Sequence, residues 1–484
     1  MNSTALGELS NQMASQATAM NMVWTLICGF MVMFMQAGFS LVETGLVRAK
    51  NMAHTMAMNF LVYAIGILGF WAIGFALQMG GVGTVASLGS DATLSSEFTV
   101  EIAGKSFGLF GMSGFFLSPA IFTSSVATLF LFQMVFMDTT ATIPTGALAE
   151  RWKFSSFVIF SFVIATLIYP LYANWVWGGG WLATLGTNFG LGHGHVDFAG
   201  SSVVHLTGGV MALVGARMVG PRHGKYGPRG EVNPIPGHNL SMVVGGTFIL
   251  AFGWFGFNAG STLSGNDPRI AIVAVNTMLA SASGAFLAFL YTKIKFGKPD
   301  ISMMCNGMLA GLVAITAPCA FVSAPVAVFI GGFAGILVIE SALFIERRLK
   351  IDDPVGASSV HGVCGAWGIL SVGLFSNGTY GDGLNGVSGP VRGLLHGDPG
   401  QLLASCIGIA VNVVFVGSLA SLTLWALGKT VGNRVSLAAE VEGLDVPELG
   451  SPGYMGDVEP GDAIDEAPPA PAALRPPAMS TPLR

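Results

Sequence analysis

The sequence predicts an all-α polytopic membrane protein with eleven transmembrane helices, on three observations: its composition, eleven long apolar runs, and an ionisable motif that occurs twice. Of the 484 residues, 52% are hydrophobic and only 10% charged, with a mean hydropathy of +0.67. A water-exposed surface could not be built from that balance. The motif is Asp197-Phe-Ala-Gly-Ser-Ser-Val-Val-His205, answered by Asp353-Pro-Val-Gly-Ala-Ser-Ser-Val-His361.

The apolar runs fall at about 22–46, 53–79, 119–148, 154–176, 197–219, 239–260, 269–292, 301–320, 324–345, 357–376 and 402–427, each of a length to cross ~30 Å of hydrocarbon. Residues 1–21 contain one charge, Glu8, and no lysine or arginine. The basic start of a secretory signal is missing, so the first run is expected to persist as a span behind an extracellular N-terminus. An odd number of crossings puts the two ends on opposite sides. One set of connections holds sixteen lysines and arginines and the other only Lys105, Arg269 and Arg392, which places the N-terminus outside and the C-terminus in the cytoplasm. The expected membrane domain is 22–428.

The outer segments 80–118 and 377–401 are rich in Gly and Ser and read as exposed loops, with room for a short extra element only in the first. The tail 429–484 carries nine prolines from Pro447 onward and nine acids from Glu440 to Glu466. It should be mostly disordered past 450, whereas Glu442-Gly443-Leu-Asp445 reads as a compact turn near the membrane. The 67 glycines suit helices that approach closely in lipid. The net charge of −5 gives no support to nucleic-acid binding. Five scattered cysteines lack metal-ligand spacing and read as packing residues, so neither a metal nor another cofactor is expected.

The fifth run passes from outside to inside and the tenth from inside to outside. Eight residues from each aspartate, at ~1.5 Å per residue, carry His205 and His361 ~12 Å inward from opposite faces. Both then lie near the midplane, as five-helix halves of inverted topology (helices 1–5 and 6–10) would place them, with the eleventh helix an addition. One mid-span histidine is as well explained by a core imidazole bonded to a carbonyl. Two at matching depth favour a pathway. Without nearby Cys or carboxylate they make a poor metal site. Two neutral imidazoles can share a hydrogen bond, bind a small polar solute or relay a proton. Such a pair suits a weak base able to lose a proton, and suits sugars or large ions badly. His54, His193, His195, His223, His238 and His396 fall in loops or at helix ends and need no such explanation. Trp177 and the run Trp254-Phe-Gly-Phe257-Asn-Ala-Gly-Ser261 lie at outer helix ends, and Phe132 and Phe136 in the third helix. Aromatic faces attract a desolvated cation, and an interfacial aromatic belt is the alternative.

At these residues the chain resembles the ammonium transporter (Amt/Mep/Rh) family, bacterial Amt branch, over about residues 22–446. The signature Asp197 to His205, the run Trp254 to Ser261, Gly146-Ala-Leu-Ala-Glu-Arg151 and His361-Gly-Val-Cys-Gly carry the resemblance. It implies a homotrimer with one hydrophobic pore per subunit. Trp177 and Ser261 would form an outer ammonium site with Phe132 beside it, Phe136 and Phe257 a stacked gate, Trp254 a pore wall, and His205 and His361 the twin histidines. Asp197 would organise the outer site and the start of helix five, and is a candidate for deprotonation. The resemblance further implies a trimeric PII signal protein at the cytoplasmic exit, and Glu442-Gly443-Leu-Asp445 matches a tail motif that docks beneath the bundle. Two residues depart from the bacterial pattern. Glu43 is expected to snorkel to the cytoplasm beside Arg48. Asp138, mid-helix, is expected to hydrogen-bond between helices, with a proton path or a second cation site as the alternative. Ammonium transport across the bilayer, with deprotonation, passage of ammonia and separate or histidine-assisted proton transfer, is therefore the expected function. A neutral gas channel for ammonia or carbon dioxide and an ammonium sensor are its rivals. An enzyme is not expected, since no nucleophile with a base and no carboxylate dyad is present.

Overall fold

The computed structural model describes residues 3–89 and 93–454. Eleven apolar helices form the bundle: α1 (Ser3–Leu46), α2 (Ala49–Met79), α3 (Ser124–Leu148), α4 (Phe154–Trp177), α5 (Ser201–Val219), α6 (Leu240–Ala259), α7 (Arg269–Phe296), α8 (Ile301–Thr316), α9 (Ala324–Leu349), α10 (Ser358–Phe375) and α11 (Pro399–Lys429). Ten are long and apolar enough to cross a membrane, α8 being the shorter one.

The expected eighth run, 301–320, stops as helix at Thr316 because Pro318 lacks an amide N–H and crowds the preceding turn. The chain stays inside the protein, buried from Leu309 to Val322. Asn276 Nδ2 donates to the carbonyls of Cys319 and Val322 at 2.9 Å each, and Arg269 donates to that of Ala320. Non-helical backbone at this depth is tolerated where protein satisfies it.

At the other end, α1 begins some twenty residues before the first apolar run, at Ser3. Residues 3–21 are rich in good helix formers such as Ala, Met, Gln and Leu. The extension is tied to outer loops, with Asn21 Nδ2 donating to the Ser87 carbonyl at 2.8 Å and Asn266 Nδ2 to that of Ala17 at 3.1 Å. The exposed N-terminus expected over 1–21 is thus largely a helical arm.

The first outer segment holds an antiparallel hairpin, β1 (Glu97–Ile102) and β2 (Lys105–Gly111), a small exception to the all-α expectation. Ala103 and Gly104, at φ 52° and 74°, make the two-residue turn that matches strand twist. Glu97 points back at α4, where Asn174 Nδ2 donates to its carboxylate at 3.3 Å. Burial pushes the Glu97 carboxyl up to about 7. A raised acid stabilises the fold fully below its unfolded value, and that stability is lost as pH rises through about 7. Proteolysis of the hairpin should therefore quicken between about pH 5 and pH 8, and Glu97→Gln should flatten the profile.

The centre of the bundle is read from burial. α3 is buried at every residue from Phe132 to Leu148, and α5 from Ser201 to Ala212. α5 and α10 cross on glycine, since a Cβ on Gly209 would fall 2.1 Å from the Gly362 nitrogen. The end of the bundle that carries the tail is clamped by charge. Arg222 donates to Asp352 at 2.8 and 2.9 Å and to Glu150 at 3.0 Å, and Arg48 also bonds Glu150. Burial alone would raise the Asp352 carboxyl, but the Arg222 guanidinium holds it well below the usual carboxylate range.

The tail folds back as α12 (Leu437–Glu442) and α13 (Asp445–Leu449). Its carboxylates meet helix N-termini, where orphan amides and the dipole favour negative charge. Asp445 accepts from the His54 amide at 2.9 Å and Glu448 from the Phe154 amide at 2.8 Å. The expected disorder past 450 falls mostly outside the described residues.

Candidate functional site

Asp197 sets the start of α5. Its Oδ1 accepts from the amides of Gly200 and Ser201 at 2.8 and 2.9 Å, and its Oδ2 from those of Ser202 and Val203 and from the Ser202 hydroxyl at 2.7 to 2.9 Å. Gly200 adopts φ 121°, which an L side chain rarely tolerates. The helix opens as a π-helical turn, Ser201–Leu206, that carries His205. The second motif repeats the device: Asp353 accepts from the amides of Gly356 and Ser358 at 2.9 and 2.7 Å, and Ser358–Val363 is again π-helical and carries His361. Single π turns of this kind recur at functional sites.

The two motifs bring their histidines together. His205 Nδ1 lies 3.1 Å from His361 Nδ1, with ring centroids 5.2 Å apart. One ring donates and the other accepts, so the two neutral tautomers are complementary. Phe257 lies 5.4 Å and Trp254 5.3 Å from the His205 ring, both nearly parallel to it. Trp254 is fixed by its Nε1–H donating to Thr316 Oγ1 at 2.9 Å, and Phe39 stands 6.0 Å from His361. Phe257 stacks on Phe136 at 4.2 Å, Phe136 meets Phe132 at 4.7 Å and Trp177 at 5.9 Å.

Beyond the Phe136 ring opens a cavity of about 160 Å³ lined in part by Phe132, Gln133, Phe136, Trp177 and Ser261. Trp177 is held by its Nε1–H donating to the Asp197 carbonyl at 2.7 Å. The Ser261 hydroxyl donates to the Phe257 carbonyl at 2.8 Å, leaving its oxygen able to accept. All nine pore and outer residues named from the sequence (Trp177, Ser261, Phe132, Asp197, Phe136, Phe257, His205, His361 and Trp254) therefore fall in one connected cluster. Three planar rings and a hydroxyl oxygen able to accept a hydrogen bond thus line one cavity.

Two expectations need correction. Glu43 does not snorkel: it is 3% exposed and accepts from Asn59 Nδ2 at 2.7 Å and Thr145 Oγ1 at 2.6 Å. Arg48, its expected companion, is bound to Glu150 instead. Asp138, also 3% exposed, faces α2 at Gly66, and its Oδ1 has no hydrogen-bond partner. The interhelical hydrogen bond expected of Asp138 is absent among the described residues, since the α2 residue it faces is a glycine, which offers no side chain there. In the tail, Gly443 packs on the Lys50 backbone at φ 118° and Asp445 docks as described, while Glu442 is exposed.

Sequence position misjudged two histidines. His195 is buried, its Nε2 2.9 Å from the Ser202 hydroxyl that also donates to Asp197, and burial lowers its affinity for a proton. His54 is buried beneath the docked tail, edge-on to Phe154 at 5.5 Å. His195 lies two residues before Asp197, a spacing that could have flagged it. Gln133, which lines the cavity and accepts from Gln78 Nε2 at 2.8 Å, carried no sequence signal.

Fold and site together define a polytopic membrane protein in which a cavity ends on stacked aromatic rings beside a buried histidine pair. The chain belongs to the ammonium transporter family: residues 23–454 match the Ammonium Transporter Family. It is 45% identical to Ammonium transporter Amt2 of Archaeoglobus fulgidus over 435 residues, covering 89% of this chain and 87% of that one. Among solved structures it is similar to a sensor Amt protein (35% identity, TM-score 0.78, 90% of this chain and 99% of that one). It is also similar to Mep2 of Candida albicans (27% identity, TM-score 0.72, 86% of each chain). Further relatives come from plants and cyanobacteria, so the likeness defines the family and not a bacterial branch in particular. The family is one of transporters, not enzymes, and no cluster of metal-ligating side chains occurs among the described residues.

Proposed function

We propose that this chain is an ammonium transporter of a bacterial cytoplasmic membrane. Ammonium is captured in the outer cavity by the faces of Trp177, Phe132 and Phe136 and by the Ser261 hydroxyl. It loses a proton near the Phe136–Phe257 stack, and ammonia then passes His205 and His361. The observation that carries this reading is the order of the parts: cavity, then stacked rings 4.2 Å apart, then an imidazole pair 3.1 Å apart. Ammonium and potassium are similar in radius, so size cannot separate them. Only ammonium can become neutral and escape the cost of burying a charge.

The same reading includes eleven crossings as two inverted five-helix halves plus α11, with the N-terminus outside and the C-terminus in the cytoplasm. The repeated aspartate-capped π turns support it. It also includes a homotrimer, and a PII-type protein meeting the cytoplasmic face where the tail docks against α2 and α4. One observation favours a sensor as the second reading: the likeness to a solved sensor Amt protein. Currents across proteoliposomes separate the readings. Transport predicts current on an ammonium step and none on an equal potassium step. Equal currents for both would defeat it, and saturable ammonium binding without flux would favour the sensor.

A further inference from the structure

On α3, Asp138 lies about 200° around the helix from Phe136, so the helix that carries the gate also turns a second, polar face to α1 and α2. That face continues inward at Thr142 and Thr145, one turn and two turns below Asp138. Gln36 Nε2 donates to Thr142 Oγ1 and to the Asn59 carbonyl at 2.6 Å each. Thr145 Oγ1 and Asn59 Nδ2 both donate to Glu43 Oε2. The seam thus begins at Asp138, opposite Gly66 of α2, and ends at Glu43. The inner end abuts the chain that leads into α10, since a Cβ on Gly146 would lie 2.8 Å from the Glu43 carboxyl carbon and 2.6 Å from Val355.

Hydrogen bonding within the seam is incomplete. Asp138 Oδ1 and Asn59 Oδ1 are buried acceptors without partners, and Asn59 is 0% exposed. A polar site that leaves acceptors open suits a small donor such as water or a hydrated proton. Buried carboxyls in a membrane usually mark a path for charge, and the helix face between these two carries the Thr142 and Thr145 hydroxyls, each able to accept one proton while donating another, with Thr145 bonded to Glu43.

We propose that the seam is a proton relay running beside the ammonia path, a step that rests on the transport reading above. Ammonium in the outer cavity breaks one N–H bond and keeps the electron pair on nitrogen. The proton, crossing the turn between Gln133 and Asp138 by water, forms an O–H bond on the Asp138 carboxylate. Exchange through bridging water and the Thr142 and Thr145 hydroxyls moves it to Glu43, which releases it to cytoplasmic water, where ammonia takes it up again. Each cycle moves one positive charge and needs no other reactant. Gln36 and Asn59 are positioning residues, since their amides hold the threonines and Glu43 but do not carry the proton.

The test uses the full chain in liposomes, with two readouts for each variant: current on an ammonium step, and uptake of isotope-labelled ammonia nitrogen into the lumen above that of empty liposomes. Glu43→Gln, Asp138→Asn and Thr142→Val are expected to lower the current by about tenfold or more while uptake of labelled nitrogen stays within about twofold of wild type. Glu43→Asp, which keeps a titratable group, should recover much of the current. A Glu43→Gln/Asp138→Asn double variant that keeps wild-type current overturns the relay. Parallel loss of current and labelled-nitrogen uptake in the conservative Thr142→Val variant also overturns it, by assigning the seam to packing. A wild type that passes no ammonium current defeats the transport reading itself, an outcome distinct from either.

Discussion

His205→Ala should turn a selective passage into a leak, with potassium current rising from background to within about tenfold of the ammonium current. The two imidazoles meet at 3.1 Å, and the His205 ring packs against both Phe257 and Trp254. Removing it opens a space of roughly two water volumes at ~30 Å³ each. That space would not be dry, because His361 Nδ1 loses its partner and offers a polar contact to water. A hydrated file lowers the cost of an unneutralised cation by several kcal/mol, and every 1.4 kcal/mol is about tenfold in rate. Ammonium current should persist, since capture by Trp177, Phe132 and Ser261 lies above the lesion. Currents in matched ammonium and potassium gradients provide the measurement. Loss of both currents would assign the pair to conduction instead of discrimination.

The histidine pair was legible because a motif of nine residues repeats, and each copy carries its own aspartate, serines and histidine. Repetition survives folding: both copies form capped π turns. The long apolar runs were legible for the same reason that they fold, since lipid demands about twenty apolar residues per helix. α8 departed from its run because interior protein can satisfy a broken helix, which composition does not reveal. Glu43 and Asp138 were visible as charges in apolar runs, but their surroundings were not. Whether an acid snorkels or is bonded depends on Asn59, Thr145 and Gly66, which arrive from other helices. The hairpin at 97–111 shows the converse: the sequence left room there for a short extra element, and its Ala-Gly turn and alternating strands are the local features that would have given its type.

Asp197→Asn is expected to lower transport by about a hundredfold or more and to destabilise the protein by ~4 kcal/mol, as lost charge-assisted bonds are each worth ~1.5–3 kcal/mol. The carboxylate accepts five donors, two on Oδ1 and three on Oδ2. Asparagine has one acceptor oxygen and an NH2 group, so either orientation sets the NH2 against at least two of those donors. Its neutral amide also removes the negative charge that complements the α5 N-terminus. The damage spreads to the site, because the Asp197 carbonyl holds Trp177 at 2.7 Å and the Ser202 hydroxyl links Asp197 to His195. Asp353→Asn provides the internal comparison. Asp353 accepts only two amides in a less buried setting, so its loss should cost about 1–2 kcal/mol. Thermal unfolding in detergent measures both. If Asp197 served only to take a proton from ammonium, the two variants would unfold at similar temperatures and only Asp197→Asn would lose current. A much lower unfolding temperature for Asp197→Asn is the signature of a residue whose first task is to build the start of α5.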